Sequence, residues 1–305
     1  MIKPWIVLGA SALLVGFAPV EARDAQQPDG AAIKATAVRL LQKTNAGRLG
    51  QLQAILREQS LPFEIQSVPN PSRQGDARPE GNNILLTGSA QSGPTLVVGA
   101  HFDAAALPDG QLSGGMVDNA ASVAVLVHLA TALKSQPLRR PVRFVFFDLE
   151  EEGLIGSRHF VSLLKKDSVA GMINLDTLQS GDTLFYGPSA GVEHDELNQE
   201  LRAVCAAADF ACVESAKFPP SDDISFSRGG VPSISLAVLP GNDAHQLWLM
   251  LNGGQHAGIE QGFVPEVLQT IHTPADQPEK LDPRALAIAY RAVADLLRRL
   301  DEDQR

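Results

Sequence analysis

The chain has 305 residues, 44% apolar and 20% charged. That length builds one large α/β domain or two small ones, and the mixture excludes a disordered chain or a fibre. Lys plus Arg number 25 against 35 for Asp plus Glu, a formal charge of −10 without any basic run, which excludes nucleic acid and an anionic membrane surface as partners.

At the N-terminus Lys3 precedes an apolar stretch from Trp5 to Val20, and Val20-Glu21-Ala22 sets small residues at the first and third places. This is the layout of a signal peptide over residues 1–22, cleaved after Ala22, and it predicts a periplasmic or secreted protein. The stretch is about 16 residues long and broken by Pro19, short of the roughly 20 that span a bilayer. No cysteine adjoins the cleavage point and no other stretch reads as long and apolar enough to span, so no stable membrane insertion is expected. Two cysteines exclude a disulfide scaffold. In an oxidising compartment Cys205 and Cys212 either pair or remain buried thiols, and the sequence leaves this open.

Residues 23–34 are polar and Gly/Ala-rich and read as a flexible tail. Leu40, Leu41, Leu49, Leu52, Ile55 and Leu56 give helical spacing over 33–59, with a hinge near Gly47. Residues 69–82 hold prolines, glycines and mixed charge and read as a loop. Short apolar runs follow at Asn83–Thr87, Thr95–Ala100, Val142–Phe147, Met172–Leu175, Thr183–Tyr186 and Ser233–Val238. Those starting at 95, 142 and 233 are nearly continuous, the pattern of central strands covered on both faces. Helical stretches lie between them at 119–134, 153–166 and 193–208. A last helix starts at Asp282-Pro283 and carries one apolar stripe of Leu286, Tyr290, Val293, Leu297 and Leu300. The alternation predicts an α/β three-layer sandwich, a mixed but mostly parallel central sheet with helices on both faces, forming one domain over 35–302. Residues 241–271 show weak periodicity. With Trp248, Leu249 and Met250 they form either an apolar lip over a pocket or a loop packed on the domain's own surface.

Acidic residues and histidines gather beyond the C-terminal ends of these strands, where open α/β sheets place ligands. His101 and Asp103 stand two apart on an extended chain, so a carboxylate can hold the imidazole's free N–H. Asp118 opens the helix at 119, where the dipole favours an ionised carboxylate whose two oxygens can bridge two cations. Asp148, Glu150, Glu151 and Glu152 crowd a strand end, and that much negative charge, once buried, needs a cation or protonation. Asp176 ends another run, and His272-Thr273-Pro274-Ala275-Asp276 precedes the last helix. Each item alone reads equally as a cap, a turn or a solvated loop. Together, two histidines and three carboxylates suit two cations such as zinc, with nitrogen and oxygen ligands and positions left open for water. Histidines 128, 159, 194, 245 and 256 need no metal.

Val98-Gly-Ala-His-Phe-Asp103, Gly115-Met-Val-Asp-Asn-Ala120, Glu150-Glu-Glu-Gly-Leu-Ile-Gly-Ser157, Asn174-Leu-Asp176 and His272-Thr-Pro-Ala-Asp276 stand in the order and spacing of metallopeptidase family 28. The chain from about 95 to 302 resembles its co-catalytic zinc aminopeptidases of the bacterial leucyl-aminopeptidase type. The resemblance implies a zinc aminopeptidase/phosphorylase-like fold, two zinc ions and hydrolysis of the N-terminal residue of peptides with a free N-terminus, by a monomer. It makes Asp118 the bridging ligand, His101 and Asp176 the ligands of one zinc, and Glu151 and His272 those of the other. Glu150 matches the general base, and Asp103 joins it in the catalytic set as the carboxylate behind the His101 imidazole. The sequence departs from the family at Met116-Val117, Ala121-Ser122 and Ser221-Asp222-Asp223, which bear on the pocket wall rather than on the ligands. Three other functions compete. Glutaminyl cyclases resemble the same fold, and Arg158-His159 and Asp222-Asp223 are similar to theirs. A dead peptidase fold could serve as a binding protein, although such sites usually lose ligands and here every ligand-type position is filled. Gly187-Pro188-Ser189-Ala190-Gly191 matches the serine-hydrolase elbow, but Pro188 suits that strained turn poorly and no glycine-rich oxyanion loop precedes it.

Overall fold

All six apolar runs enter one eight-stranded sheet in the computed structural model, which describes residues 29–70, 80–86, 93–165, 168–188, 195–253 and 264–302. The expected signal peptide and Ser189 of the elbow pattern lie outside the described residues. The strands are β1 (Phe63–Pro69), β2 (Glu80–Leu86), β3 (Thr95–His101), β4 (Val142–Phe147), β5 (Val169–Leu178), β6 (Thr183–Gly187), β7 (Ala211–Glu214) and β8 (Ser233–Leu239). Their order is β1-β2-β4-β3-β5-β8-β6-β7. The middle four, β4-β3-β5-β8, run parallel, while β2 joins β4 and β6 joins β8 antiparallel. The sheet is therefore mixed and mostly parallel at its centre.

Alternation along the central strands feeds two cores. Leu96, Val98 and Ala100 of β3, Phe144 and Phe146 of β4, and Ile173 and Leu175 of β5 enter the larger one. It is closed by α1 (Gly30–Val38), α2 (Asn45–Glu58), α3 (Ala121–Ser135), α5 (Asp195–Ala207) and α9 (Pro283–Glu302). Val97, Val145, Phe147 and Met172 face the other way, against Phe160 of α4 (Ile155–Ser162) and Phe226 of α6 (Asp223–Arg228). There Phe147 meets the rings of Phe160 and Phe226 edge-on at 5.9 and 6.0 Å. A run whose residues are apolar at every position is what burial on both faces requires.

Several expectations are corrected. The flexible tail ends earlier than residue 34, because α1 begins at Gly30, capped by the Asp29 side chain. The small residues that made this stretch look unstructured are what let α1 lie against α9. A Cβ on Gly30 would sit 1.9 Å from the Pro283 carbonyl oxygen. The break between the first two helices falls at residues 39–44, ahead of Gly47, with Thr44 capping α2 through the Gly47 N–H. Residues 241–271 are not one loop, since α7 (Gly241–Asn252) and α8 (Glu266–Thr270) occupy both ends. The stretch Met116–Ser135 is long and apolar enough to span a bilayer, with a mean hydropathy of 1.5, but 78% of its apolar window is buried as the core helix of this domain. Cys205 and Cys212 form a disulfide between α5 and β7.

Candidate metal centre

His101 is the last residue of β3 and Asp176 stands near the end of β5, two strands that run parallel side by side. Alternation sets both on the face opposite Ala100 and Leu175. At Asp176 the register of β5 against β8 shifts between Leu175 and Leu178, and Thr177 takes a left-handed φ of 64°. Such a bulge re-aims a side chain at a strand end. Asp118 sits in a kinked turn, Met116–Ala120, that leads into α3; its own backbone is non-helical (φ −125°, ψ 84°), so it stands outside the helix whose N-terminus it was expected to open. Glu150 and Glu151 follow β4 after Leu149, a bulky residue held at φ 58°, and His272 itself adopts φ 55° after α8. Left-handed backbone at three places around one cluster is costly in each case and is tolerated where the surroundings dictate it, commonly at functional sites.

These elements bring five side chains together around Asp118. Its Oδ1 lies 2.9 Å from His101 Nε2, and its Oδ2 lies 3.1 Å from His272 Nε2. His101 Nε2 is also 3.8 Å from Asp176 Oδ1, and His272 Nε2 is 2.9 Å from Glu151 Oε2. The two oxygens of one carboxylate thus face two separate groups, His101 with Asp176 and His272 with Glu151. His101 is almost fully buried, whereas the His272 side chain is 55% exposed, so the cluster opens toward solvent on the His272 side.

The charges of the cluster depend on one another. Burial pushes the Asp118 carboxyl up, but the His101 and His272 imidazoles outweigh it and hold the group well below its ordinary value. Hydrogen bonds to Asp118 and Glu151 raise His272 to about 11. For His101, burial works against protonation, and Glu150, Asp103, Asp118 and Asp176 more than reverse it. Burial and the neighbouring Asp118 raise Glu151 to about 7. Glu150 is pushed well above the carboxylate range, first by burial and then by Asp222, Asp176 and Glu151, against the pull of His101.

Nitrogen and oxygen donors converging in this way fit a divalent cation. His101, Asp118 and Glu151 offer ligand atoms within 4.8 Å of one another. His101 Nε2, Glu151 Oε1 and Asp176 Oδ1 are buried without an aligned hydrogen-bond partner among the described residues. Buried polar atoms rarely stay unmatched unless something else binds them, and imidazole plus carboxylate is the donor set of a borderline cation such as zinc.

Asp103 does more than the His-x-Asp spacing foretold. Its Oδ1 is 3.5 Å from His101 Nδ1, while its two oxygens accept the N–H groups of Glu150 at 3.2 Å and Glu151 at 3.3 Å. The same carboxylate therefore fixes the loop that carries both glutamates. Asp148 turns away to β2, accepting from Asn82 N at 2.8 Å, and Glu152 meets Asn70. Two further acids, Asp276 and Asp222, are fully buried. Asp276 accepts from the N–H groups of Met116, Val117 and Asp118 at 2.9, 2.7 and 3.3 Å, holding the turn that presents Asp118. Asp222 is fully buried ahead of α6, and neither of its oxygens has an aligned donor among the described residues. The neighbouring Ser157 hydroxyl is engaged with Leu154 O and Ser225 Oγ, and burial lifts Asp222 to about 7.

Two sequence features fall elsewhere. Gly187 of the elbow pattern ends β6 beside Ser235 of β8, at the end of the sheet away from the histidines. From Gly241 near Thr183, α7 runs toward that same far end, where Asn252 donates to Ser215 Oγ at 2.8 Å. Trp248, Leu249 and Met250 are exposed on α7, which packs along β6 and β7.

A family model described as peptidase family M28 matches residues 83–297. "Probable lipoprotein aminopeptidase LpqL" of Mycobacterium tuberculosis is 28% identical over 224 residues, which cover 70% of this chain and 44% of that protein. The chain spans less than half the length of the curated relatives it matches. Among solved structures, Porphyromonas gingivalis glutaminyl cyclase superposes with a TM-score of 0.71 at 16% identity, covering 90% of this chain and 99% of that one. A leucine aminopeptidase precursor from Bacteroides thetaiotaomicron gives 0.69 at 14% identity, covering 88% and 97%. At these identities the two structures speak for the fold.

Proposed function

The chain belongs to peptidase family M28, and from that membership and the geometry of the cluster we propose that it is an exported aminopeptidase that removes the N-terminal residue of peptides with the help of two zinc ions. Asp118 carries the reading. One carboxylate with an imidazole at 2.9 Å from one oxygen and another at 3.1 Å from the second is a bridging ligand in position. His101 and Asp176 would complete one zinc site, and Glu151 and His272 would complete the other. When bound, such ions make water acidic near neutral pH and polarise an amide carbonyl.

The remaining work falls to the protein's own side chains. Glu150 stands next to the ligand Glu151 and has its carboxyl raised by burial. It accepts the proton of the attacking water and hands it to the leaving amine, as a positioned carboxylate can. Asp103 keeps that glutamate in place through its backbone N–H. The free α-amine of the substrate would bind beside one of the zinc ions, which restricts cleavage to the first residue. The His272 side, open to solvent, is where the peptide enters. Export followed by cleavage after Ala22 is supported by the N-terminal layout and agrees with the Cys205–Cys212 disulfide, which persists in oxidising compartments. The protein acts as a monomer on this reading.

The test combines metal analysis of the purified chain with a screen of amino-acyl anilides and a peptide that begins with glutamine. The expected result is two zinc ions per chain and release of free amino acid, lost on chelation and indifferent to serine-directed reagents. The fold it shares with a glutaminyl cyclase supplies the second reading. Ammonia released from the glutaminyl peptide without free amino acid would establish that reading in place of the first. Zinc without either product would leave a binding protein.

A further inference from the structure

Arg48 of α2 is fully buried, and each of its four hydrogen bonds ends on a backbone carbonyl. Nε donates to Phe102 O at 2.5 Å, Nη1 to Leu40 O at 3.2 Å and to Gly114 O at 3.1 Å, and Nη2 to Gly115 O at 3.0 Å. Phe102 lies between His101 and Asp103. Gly114 and Gly115 lead into the turn that carries Asp118. One planar fork therefore sets the separation of the two segments that present the most buried ligands of the cluster.

Three further observations fit this role. Asn45, one helical turn before Arg48 on the same side of α2, exchanges hydrogen bonds with the backbone of Ala104, donating at 3.1 Å and accepting at 2.9 Å. Gly115 has φ 57°, and a Cβ there would stand 2.8 Å from Arg48 Nη1, so the turn is shaped around the guanidinium. Desolvating a cation that carbonyls alone receive is expensive. Burial pulls the guanidinium down to about 10, and the field of Asp103, Asp276, Asp118 and Glu151 offsets part of that cost. The family match begins at residue 83, so α2 and Arg48 lie outside it.

We infer that Arg48 is a positioning residue of the metal site, fixing His101 and Asp118 at the spacing zinc needs through its bonds to Phe102, Gly114 and Gly115. This rests on the two-zinc reading. A lysine keeps the charge but cannot reproduce the fork, which separates geometry from charge.

The experiment compares Arg48→Lys and Arg48→Met with the wild type. Zinc affinity is read by competition with a chromophoric chelator, folding by circular dichroism, and kcat and KM on an amino-acyl anilide. Both variants are expected to fold and to lose about 10- to 100-fold in zinc affinity, the usual effect of removing a residue that orients a ligand, with kcat reduced and KM little changed. Wild-type zinc affinity in folded Arg48→Lys, whatever its melting temperature, would overturn the inference. So would tighter zinc binding by Arg48→Met beside a normal Arg48→Lys, since charge alone would then explain it. Failure of both variants to fold under saturating zinc would also overturn it, because Arg48 would then be a requirement of the fold. If Arg48→Met alone fails to fold, Arg48→Lys decides. A wild-type chain that takes up no zinc overturns the two-zinc reading itself and this inference with it.

Discussion

On the proposed mechanism a single side chain, Glu150, separates binding from turnover. Its neighbour Glu151 touches His272, and Asp103 grips the backbone N–H of both glutamates, so the loop stays in place whatever the Glu150 head group is. Gln is nearly the same size and can still be held there, but it cannot accept a proton from water. Glu150→Gln is therefore expected to keep its zinc stoichiometry while kcat on an amino-acyl anilide falls by at least about 100-fold, the low end of what a positioned base contributes. Near-normal turnover in that variant would remove Glu150 from the mechanism. The residues around it show which parts of a site a sequence exposes. His101, Asp118, Glu151, Asp176 and His272 were legible because each follows an apolar run or precedes a helix in a recognisable order. Arg48 was not, and Asp222 stood out only as a departure from the family pattern. Burial without a charged partner in the neighbouring sequence leaves no local trace, and only the folded chain shows what surrounds them.

Among the elements, strands apolar at every position were the easiest to place, since burial on both faces leaves little choice of side chain. Edge strands gave less. β7 has four residues with two exposed, and β1 keeps a single buried one. Neither carries enough apolar pattern to stand out from a loop. The six residues of α6 are too few for a helical period. α1 was half lost to the tail because close packing against α9 demands the small residues that usually mark flexible chain. The kinked turn bearing Asp118 was read as the helix it precedes, since nothing local announces that its N–H groups are satisfied by Asp276, about 160 residues further on. That long-range cap is testable. Asp276→Ala would leave the buried donors of Met116, Val117 and Asp118 without their acceptor, and is expected to lower the unfolding free energy by about 2–3 kcal/mol, measured by urea denaturation, with zinc affinity falling in parallel. Asp276→Asn keeps one carbonyl oxygen and should lose less. An Asp276→Ala protein as stable as the wild type would show that the turn holds itself.

For the whole molecule, the cluster draws on points from residue 101 to residue 272, so an ion bound there ties β3, the turn before α3, the loop after β4, β5 and the segment ahead of α9 into one unit. Its stabilisation must depend on pH, with a sign that can be worked out. Without zinc, the raised His272 contributes stability that is complete below the imidazole's unfolded value of about 6.5 and is lost as the pH climbs toward about 11. His101, also raised, acts in the same direction. Zinc reverses the slope. A ligand imidazole must be neutral, so below their raised pKa values each of the two histidines gives up a proton when its ion binds. Affinity then falls about tenfold per site for each pH unit removed, or roughly 1.4 kcal/mol of linked stabilisation. At a fixed, saturating free zinc concentration, the difference in unfolding free energy between zinc-loaded and chelator-treated protein is expected to grow by about 3 kcal/mol from pH 6.5 to pH 7.5 through the two histidines, if both sites fill, with a smaller addition from Glu151, which is raised to about 7 and must also be ionised to bind. Chelator-treated protein alone should lose stability over the same interval. A zinc increment that does not change with pH would mean that the imidazoles are already neutral before the ion arrives, and that the ion pairs around Asp118 do not hold their protons.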